Sequence, residues 1–526
     1  MNYKFKQCIP RKNGTKIDCC GAELVLHHEK CEKFFGEIEK GESLYINVER
    51  IVSEDENSRQ FIEELSLNNI QDVRVSLLTE KIIDYDLEMF SREDKTELVN
   101  KYRPYFMSFI VSLEDNSIQD IESLGVGWYE GRFLRQEEGV FEEGILLDGI
   151  LETSASPVNY LKGKLLVFTN RAIKKSVLNK INSMYDPRKF GYTSSSDVEN
   201  ILNDAWASDF PYKIDIYNVG HGNADYIRGD KHRILYDIGY NYRSFPRRHN
   251  SKYLRAVNAF RHLQPSCVVL SHWDMDHIIG CAYASQDIFN VKWIAPYLVS
   301  SKDKKASINS IRLAHYLNAL GNLCLVDREQ TNKLIAKISC ANDIEIKVWL
   351  GSGTSNKITP RNREGLTLEI LDKKRRYLHV LLAGDVPYKC MNNLLTDPID
   401  IMHVPHHCSS MELDKLKNLP SVGKYAIIST NRKKTGTLNC DSNHHDKLRK
   451  KLKRFFIQSI TPQEMTKLIY QSKLIIKSVH IGSGKEIRTF LIGMIEHGNA
   501  STNFSFVYIF CRVIVRFTRI PPVFYQ

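Results

Sequence analysis

Residues 211–460 predict an α/β fold in which sheets are flanked by helices and a polar site lies at the strand ends. Three observations carry this. Short apolar runs alternate with helical segments along the whole stretch. Several of those runs finish on aspartate or histidine, as in "LLAGD" (381–385) and "HVPHH" (403–407). One of them, "CVVLSH", opens directly into "HWDMDH" (272–277), which places two histidines and two aspartates in six positions.

The elements follow in order. Residues 1–185 read as an acidic, mixed α+β N-terminal domain, with strands in "ESLYINVERIV", "YFMSFIVSL" and "KLLVFTN". A helix is expected over "SREDKTELVNKY", entered through Ser91. No repeat or motif gives this region a role. The turn-rich "YDPRKFGYTSSSD" places a linker over 186–210. The pattern then changes. "YKIDIYNVG" and "HRILYDIG" are strands ending in glycine, "SKYLRAVNAFRHL" is a helix, and "CVVLSH" is the strand that delivers the polar cluster. "DIEIKVWL", "LTLEIL", "YLHVLLAGD", "IDIMHVPHH" and "KYAIIST" are later strands, with "IRLAHYLNALGNL" and "HDKLRKKLKRFF" as helices. Residues 461–526 form a β-rich C-terminal extension. Its tail "FSFVYIFCRVIVRF" is apolar but broken by Arg512 and Arg516, which suits a buried strand.

The composition, 42% hydrophobic and 26% charged over 526 residues, is that of a globular protein with room for two to four domains. No run approaches the roughly 18 apolar residues of a membrane span, and the start lacks the apolar core of a secretory signal. The expected location is cytoplasmic, without membrane association. Twelve cysteines scattered along such a chain are expected to be reduced thiols, and the spacing of Cys8, Cys19, Cys20 and Cys31 does not match a zinc finger.

The net charge of +11 is divided unevenly. Residues 1–200 hold 26 Lys and Arg against 35 Asp and Glu, a balance of −9. Residues 201–526 hold 47 against 27, a balance of +20. The second part is expected to attract polyanions such as nucleic acids and nucleotides. Arg432, Lys433 and Lys434 in "NRKKTG" are candidate substrate-binding cations, and the basic helix 445–456 adds six more, although a solvated surface helix explains that run equally well.

His272, Asp274, Asp276 and His277 would repel and desolvate one another unless a cation sat among them. Alternating positions in a strand-to-helix loop can converge, and the terminal Asp-His pair can turn to a second centre, so two ions suit the spacing. A solvated polar loop is the competing explanation. Asp385, at a strand end, could bridge two cations. His406 and His407 end another strand, and the residues alone leave open which of them is the ligand.

With five motifs in order, "IDIYNVGHGNADYI", "ILYDIG", "LSHWDMDHIIGC", "LLAGD" and "VPHHCSS", leading to "AIISTN…NHHDKL", the segment 212–455 resembles the metallo-β-lactamase fold. Within that superfamily it is most similar to the soluble hydrolase domain of the ComEC/Rec2 competence family. The resemblance implies an αββα sandwich and two divalent ions, Zn or Mn, held by His272, Asp274, Asp276, His277, Asp385, and His406 or His407. It also implies that Asp237 supports the metal site from beneath, that Asn362 lies at the substrate, and that His444 helps hold the scissile group. Aspartate at 274 adds an oxygen ligand and shifts preference towards harder ions such as Mn²⁺. The chain departs from the pattern at His221, Asn223, Cys408 and the degraded "NHHD", which touches substrate positioning more than metal binding.

The function expected is metal-dependent hydrolysis of a phosphodiester in nucleic acid or nucleotides. Asp276 or a neighbouring carboxylate is expected to orient the nucleophile, and His444 to stabilise the developing charge or assist the leaving group. The acidic N-terminal domain would gate the site, sense a signal or recruit a regulatory protein partner, in the setting of an antiphage-defence effector that the resemblance implies. The alternatives are hydrolysis of a different ester or lactone on the same site, and a binding protein with a vestigial site.

Overall fold

The structure, a computed structural model, describes residues 2–9, 19–24, 44–51, 71–91, 108–113, 127–135, 145–152, 164–206, 213–217, 219, 222–240, 259–298, 306–328, 333–340, 343–352, 360–373, 378–391, 398–409, 425–429, 456–457, 475–477, 481–483, 486–488 and 491–493. It is a mixed α/β architecture. Strands β1 (Asn2–Ile9), β2 (Cys19–Leu24), β3 (Leu44–Ile51), β4 (Gln71–Thr79), β5 (Ser108–Leu113), β6 (Gly127–Arg135), β7 (Ile145–Glu152) and β8 (Lys164–Ala172) make an antiparallel sheet in the order β1-β7-β8-β6-β3-β4-β5-β2.

A helix, α1 (Glu80–Ser91), follows β4. The sequence predicts a helix entered at Ser91, whereas the described helix ends there. Residues 92–102 lie outside the described residues. Ile83, Met89 and the partly buried Phe90 form the apolar stripe of α1, with the buried Asp86 on the same face.

Two mixed sheets follow. The first contains β9 (Lys213–Ile216), β10 (Asp225–Arg228), β11 (Arg233–Tyr236), β12 (Cys267–Val269), β13 (Lys292–Pro296) and β14 (Leu323–Val326) in reverse numerical order across the sheet. The pairs β9/β10 and β10/β11 are antiparallel, and those from β11 to β14 are parallel. The second contains β15 (Leu334–Cys340), β16 (Ile344–Leu350), β17 (Leu366–Asp372), β18 (Leu378–Leu382), β19 (Ile401–His403), β20 (Tyr425–Ile427) and β21 (Phe456–Ile457) in numerical order. It is antiparallel through β18 and parallel from there on.

Alternation along the strands explains how the sheets stack. Ile234 and Tyr236 of β11, Cys267 and Val269 of β12, and Ile294 of β13 join one apolar cluster with Ile346 and Val348 of β16, Leu368 of β17, Val380 and Leu382 of β18, and Ile401 of β19. This is the layer between the sheets. The intervening residues Leu235, Val268 and Ala295 face the other way, into a cluster with Leu313, Ala314 and Leu317 of the helix Ile308–Ala319, and with Phe260 and Trp273. On the far side of the second sheet, Leu381, Ala383, Met402 and Ala426 form a third cluster. Strands buried on both faces read as continuous apolar runs, which is why "CVVL" and "LHVLLA" show no polar alternation.

The stretch 186–210, expected as a linker, contains α2 (Ser195–Trp206), whose Val198, Leu202, Ala205 and Trp206 join the layer between the sheets. Ser194 caps it, its Oγ accepting from the Asp197 N–H at 3.1 Å. The "TSSSD" run is thus a helix start and not a spacer. The further helix α3 (Ile308–Ala319) begins with its N-cap Ser307, whose Oγ accepts from Ser310 N–H. In the C-terminal region, the described residues form two antiparallel pairs, β22 (Ile475–Lys477) with β25 (Leu491–Gly493) and β23 (Ile481–Ser483) with β24 (Glu486–Arg488). Among the described residues, no helix is long and apolar enough to cross a membrane.

Candidate metal centre

Four of the strands in parallel pairs deliver a polar side chain beyond their carboxyl ends, the place where open α/β sheets gather their ligands. Asp237 follows β11, His272 follows β12, Asp385 follows β18 and His407 follows β19. Two glycines allow the crowding. Gly384 sits at φ +54°, and a Cβ there would lie 2.5 Å from Ser271 Cβ. At Gly239 a Cβ would lie 2.0 Å from the carbonyl oxygen of Asp276.

Asp237 is wholly buried at φ +57°, a conformation aspartate tolerates better than most residues. Its Oδ1 accepts from Ser271 N–H at 2.6 Å, and its Oδ2 accepts from Ser271 Oγ at 2.8 Å and faces His277 Nδ1 at 2.8 Å. The Asp237 contact fixes the His277 ring and leaves Nε2 turned to Asp385 Oδ1, 3.2 Å away. Ser271 Oγ also lies 3.0 Å from His272 Nδ1, so one hydroxyl steadies both rings.

Asp385 lies between two sets of histidines. Its Oδ1 faces His277 Nε2 at 3.2 Å and His407 Nε2 at 3.3 Å. Its Oδ2 faces His272 Nε2 at 3.6 Å and His406 Nε2 at 3.8 Å, and accepts from Asn362 Nδ2 at 3.3 Å. Asp274 Oδ2 lies 3.6 Å from His272 Nε2, and Asp276 Oδ2 lies 3.4 Å from His407 Nε2. Among the described residues, two groups of three have ligand atoms within 4.8 Å of one another: His272, His277 and Asp385, and Asp276, His277 and His407. His277 belongs to both but turns a single ring nitrogen inward.

The electrostatics follow from this crowding. Burial pushes the Asp385 carboxyl up, but His407, His277, His406 and His272 outweigh it and hold the group well below the usual carboxylate range. Burial lowers His277, but Asp385 and Asp237 overcome it and raise the ring well above its ordinary value. His272 Nε2, His277 Nε2 and Asp385 Oδ1 are buried without a hydrogen-bond partner among the described residues. Buried polar atoms left so are costly, and a divalent cation satisfies nitrogen and oxygen donors of this kind together. The residues therefore fit a metal.

The loop carrying the paired histidines is strained. His406, His407 and Cys408 have φ of 51°, 53° and 61°, three consecutive left-handed residues, none of them glycine. Each costs about 1–2 kcal/mol and persists only where its surroundings hold it. His407 is anchored through Nδ1 to the Ser429 carbonyl oxygen at 3.0 Å and is buried, whereas the His406 side chain remains about a third exposed.

Of the candidate residues, His272, Asp274, Asp276, His277, Asp385, His407, Asp237 and Asn362 are brought together, with His406 at the edge. His444, Arg432, Lys433 and Lys434 lie outside the described residues. Sequence reasoning missed Ser271, although its place between an apolar strand and the histidine was a usable signal.

No protein-family model and no curated protein matches the chain. Solved structures do. The metallo-beta-lactamase fold protein YhfI from Bacillus subtilis is 10% identical, with 47% of this chain and 96% of that one covered, at a TM-score of 0.28. A diphosphatase from the PhnP family is 12% identical, with 42% and 87% covered, at 0.24. Zn(2+)-bound PqqB from Methylobacterium extorquens is 9% identical, with 44% and 83% covered, at 0.25. At such scores the functional reading rests on the side chains of this chain.

Proposed function

We propose that the protein is a metal-dependent hydrolase of the metallo-β-lactamase type with two cations, acting on a phosphodiester in nucleic acid or nucleotides. The observation that carries the reading is the position of Asp385, whose two oxygens each face a different set of histidines. His272 and Asp274 would hold one ion and Asp276, His277 and His407 the other, with Asp385 shared. The cations, when bound, would supply hydroxide at neutral pH and neutralise the charge of a phosphodiester.

The chain's own residues do the rest. Asp237 and Ser271 hold the His277 and His272 rings in place. Asp276, in the helical turn Met275–Ile278 and 7% exposed, is a carboxylate placed to orient the nucleophile. Asn362 donates to Asp385 and holds its carboxylate in register between the histidines. His444 is assigned to the leaving group. The balance of +20 over residues 201–526 favours a polyanionic substrate, with Arg432, Lys433 and Lys434 as candidate contacts. A regulatory partner for the acidic first part and a role in antiphage defence belong to this proposal.

The test is product release from plasmid DNA, single-stranded DNA, RNA and cyclic dinucleotides with Mn²⁺, Zn²⁺ or EDTA, comparing wild type with Asp276→Ala. Metal-dependent cleavage lost in the variant supports the reading. Bound metal with turnover only of carboxylic esters or lactones moves the substrate class, and a protein that binds no metal overturns the enzyme.

A further inference from the structure

A second buried array lies behind the centre. Asp225, the first residue of β10, is wholly buried in the first sheet. His403, the last residue of β19, is buried in the second. His403 Nδ1 lies 2.9 Å from Asp225 Oδ2, and His403 Nε2 lies 2.9 Å from Ser429 Oγ. The Ser429 carbonyl oxygen then accepts from His407 Nδ1 at 3.0 Å. Two stretches of hydrogen bonds, joined covalently through Ser429 from its hydroxyl to its own carbonyl, thus run from a carboxylate in one sheet, across the sandwich, to the ring of a candidate ligand.

We propose that Asp225 and His403 are positioning residues that, through Ser429, fix the imidazole of His407 with its Nε2 turned to the metal centre. The inference rests on the metal reading above.

Two features demand such a device. His407 sits in a run of three left-handed residues that would relax if its ring were released. Its Nδ1 is held by a backbone carbonyl two residues beyond β20, near the end of a strand three residues long. The Ser429 hydroxyl, pinned by His403, ties that chain end to the opposite sheet. Asp225 and His403 bury a carboxylate and an imidazole inside an apolar sandwich, where packing alone calls for neither.

Asp-His-Ser connectivity also occurs in nucleophilic hydrolases, but Ser429 is itself only 8% exposed and its hydroxyl points to a fully buried ring. Labelling of Ser429 by a fluorophosphonate would overturn the positioning role.

The deciding experiment titrates the metal-free full chain with Co²⁺, reading stoichiometry and the visible absorption of the bound ion, for wild type, Asp225→Asn, Ser429→Ala, Ser429→Thr and the control Asp215→Asn. Asp215 is also buried, but it pairs with Lys213 and Arg228. Wild type is expected to bind two equivalents. Asp225→Asn and Ser429→Ala are expected to weaken one equivalent about 10–100-fold and alter its spectrum, as loss of outer hydrogen bonds does. Ser429→Thr should restore both, and Asp215→Asn should leave both unchanged. Should Asp225→Asn not fold, Ser429→Ala decides alone, because it keeps the carbonyl that His407 uses. Two wild-type-like equivalents in Ser429→Ala overturn the inference. No bound Co²⁺ in wild type overturns the metal reading itself.

Discussion

Arg312 on α3 forks onto Asp86 on α1, with Nε 2.5 Å from Oδ2 and Nη2 3.1 Å from Oδ1, both side chains buried. Tyr185 donates its hydroxyl to the same carboxylate at 2.6 Å, and Phe90 stacks on His315 beside it. This joins the helix that follows β4 to the helix covering the first mixed sheet. The link reaches the centre, because Ser310 on α3 donates to the carbonyl of Trp273, between His272 and Asp274, at 2.6 Å.

Removing Asp86 leaves a guanidinium buried without its partner carboxylate. Asp86→Ala is therefore expected to destabilise the protein by about 3–5 kcal/mol, since breaking one side of a buried pair strands the other charge. Thermal melting checks the size. A melt unchanged within a degree would mean that α1 does not seat on α3 in solution.

Asp237→Asn keeps the left-handed backbone, which asparagine tolerates. It replaces one acceptor oxygen by a donor beside Ser271 and His277. Metal affinity is expected to fall 10–100-fold, and the metal-free protein, which loses the acceptor facing His277, to melt at a lower temperature. Competition with a chromophoric chelator measures it, and affinity equal to wild type would remove Asp237 from its supporting role.

Much of the centre was legible because a cation demands several donors in few positions, and "HWDMDH" supplies them within one loop. Asp385 was legible as a carboxylate ending an apolar strand. The difference in setting between His406 and His407 was not. It depends on three consecutive left-handed residues that turn one ring inward and leave the other near solvent, and nothing in "VPHHCSS" announces positive φ without glycine. The helix over 195–206 was hidden by its serine-rich start, which resembles a turn until Val198, Leu202 and Trp206 are placed on one face. Asp225, His403 and Ser429 are far apart in sequence and meet only when the two sheets stack.

Gly384→Ala tests the close packing directly. The new Cβ would meet Ser271 Cβ at 2.5 Å and Oγ at 2.7 Å, and the backbone is already at φ +54°. Ser271 has little room to move, since its hydroxyl serves Asp237 and lies against both His272 and His277. The expected cost is about 1–3 kcal/mol, with metal binding weakened more than at a remote site of equal destabilisation. Melting and metal titration, run on the same preparation, separate the two effects.

The metal-free and metal-loaded proteins should respond to pH with opposite signs. Without metal, His277 is raised well above its ordinary value of 6.5 by Asp385 and Asp237. A group raised on folding stabilises fully below its unfolded pKa, and that contribution is lost as pH rises through the folded value. Asp385, held low by its four histidines, contributes above the unfolded carboxylate range, and its contribution is lost only in acid. In EDTA the melting temperature is therefore expected to fall as pH climbs from neutral into the alkaline range. With metal bound the same histidines must be deprotonated, so loading strengthens with pH over that interval and the melting temperature should rise. Parallel melts at pH 6, 7, 8 and 9 decide the matter. Curves of the same slope with and without metal would show that His277 does not exchange a proton for a cation.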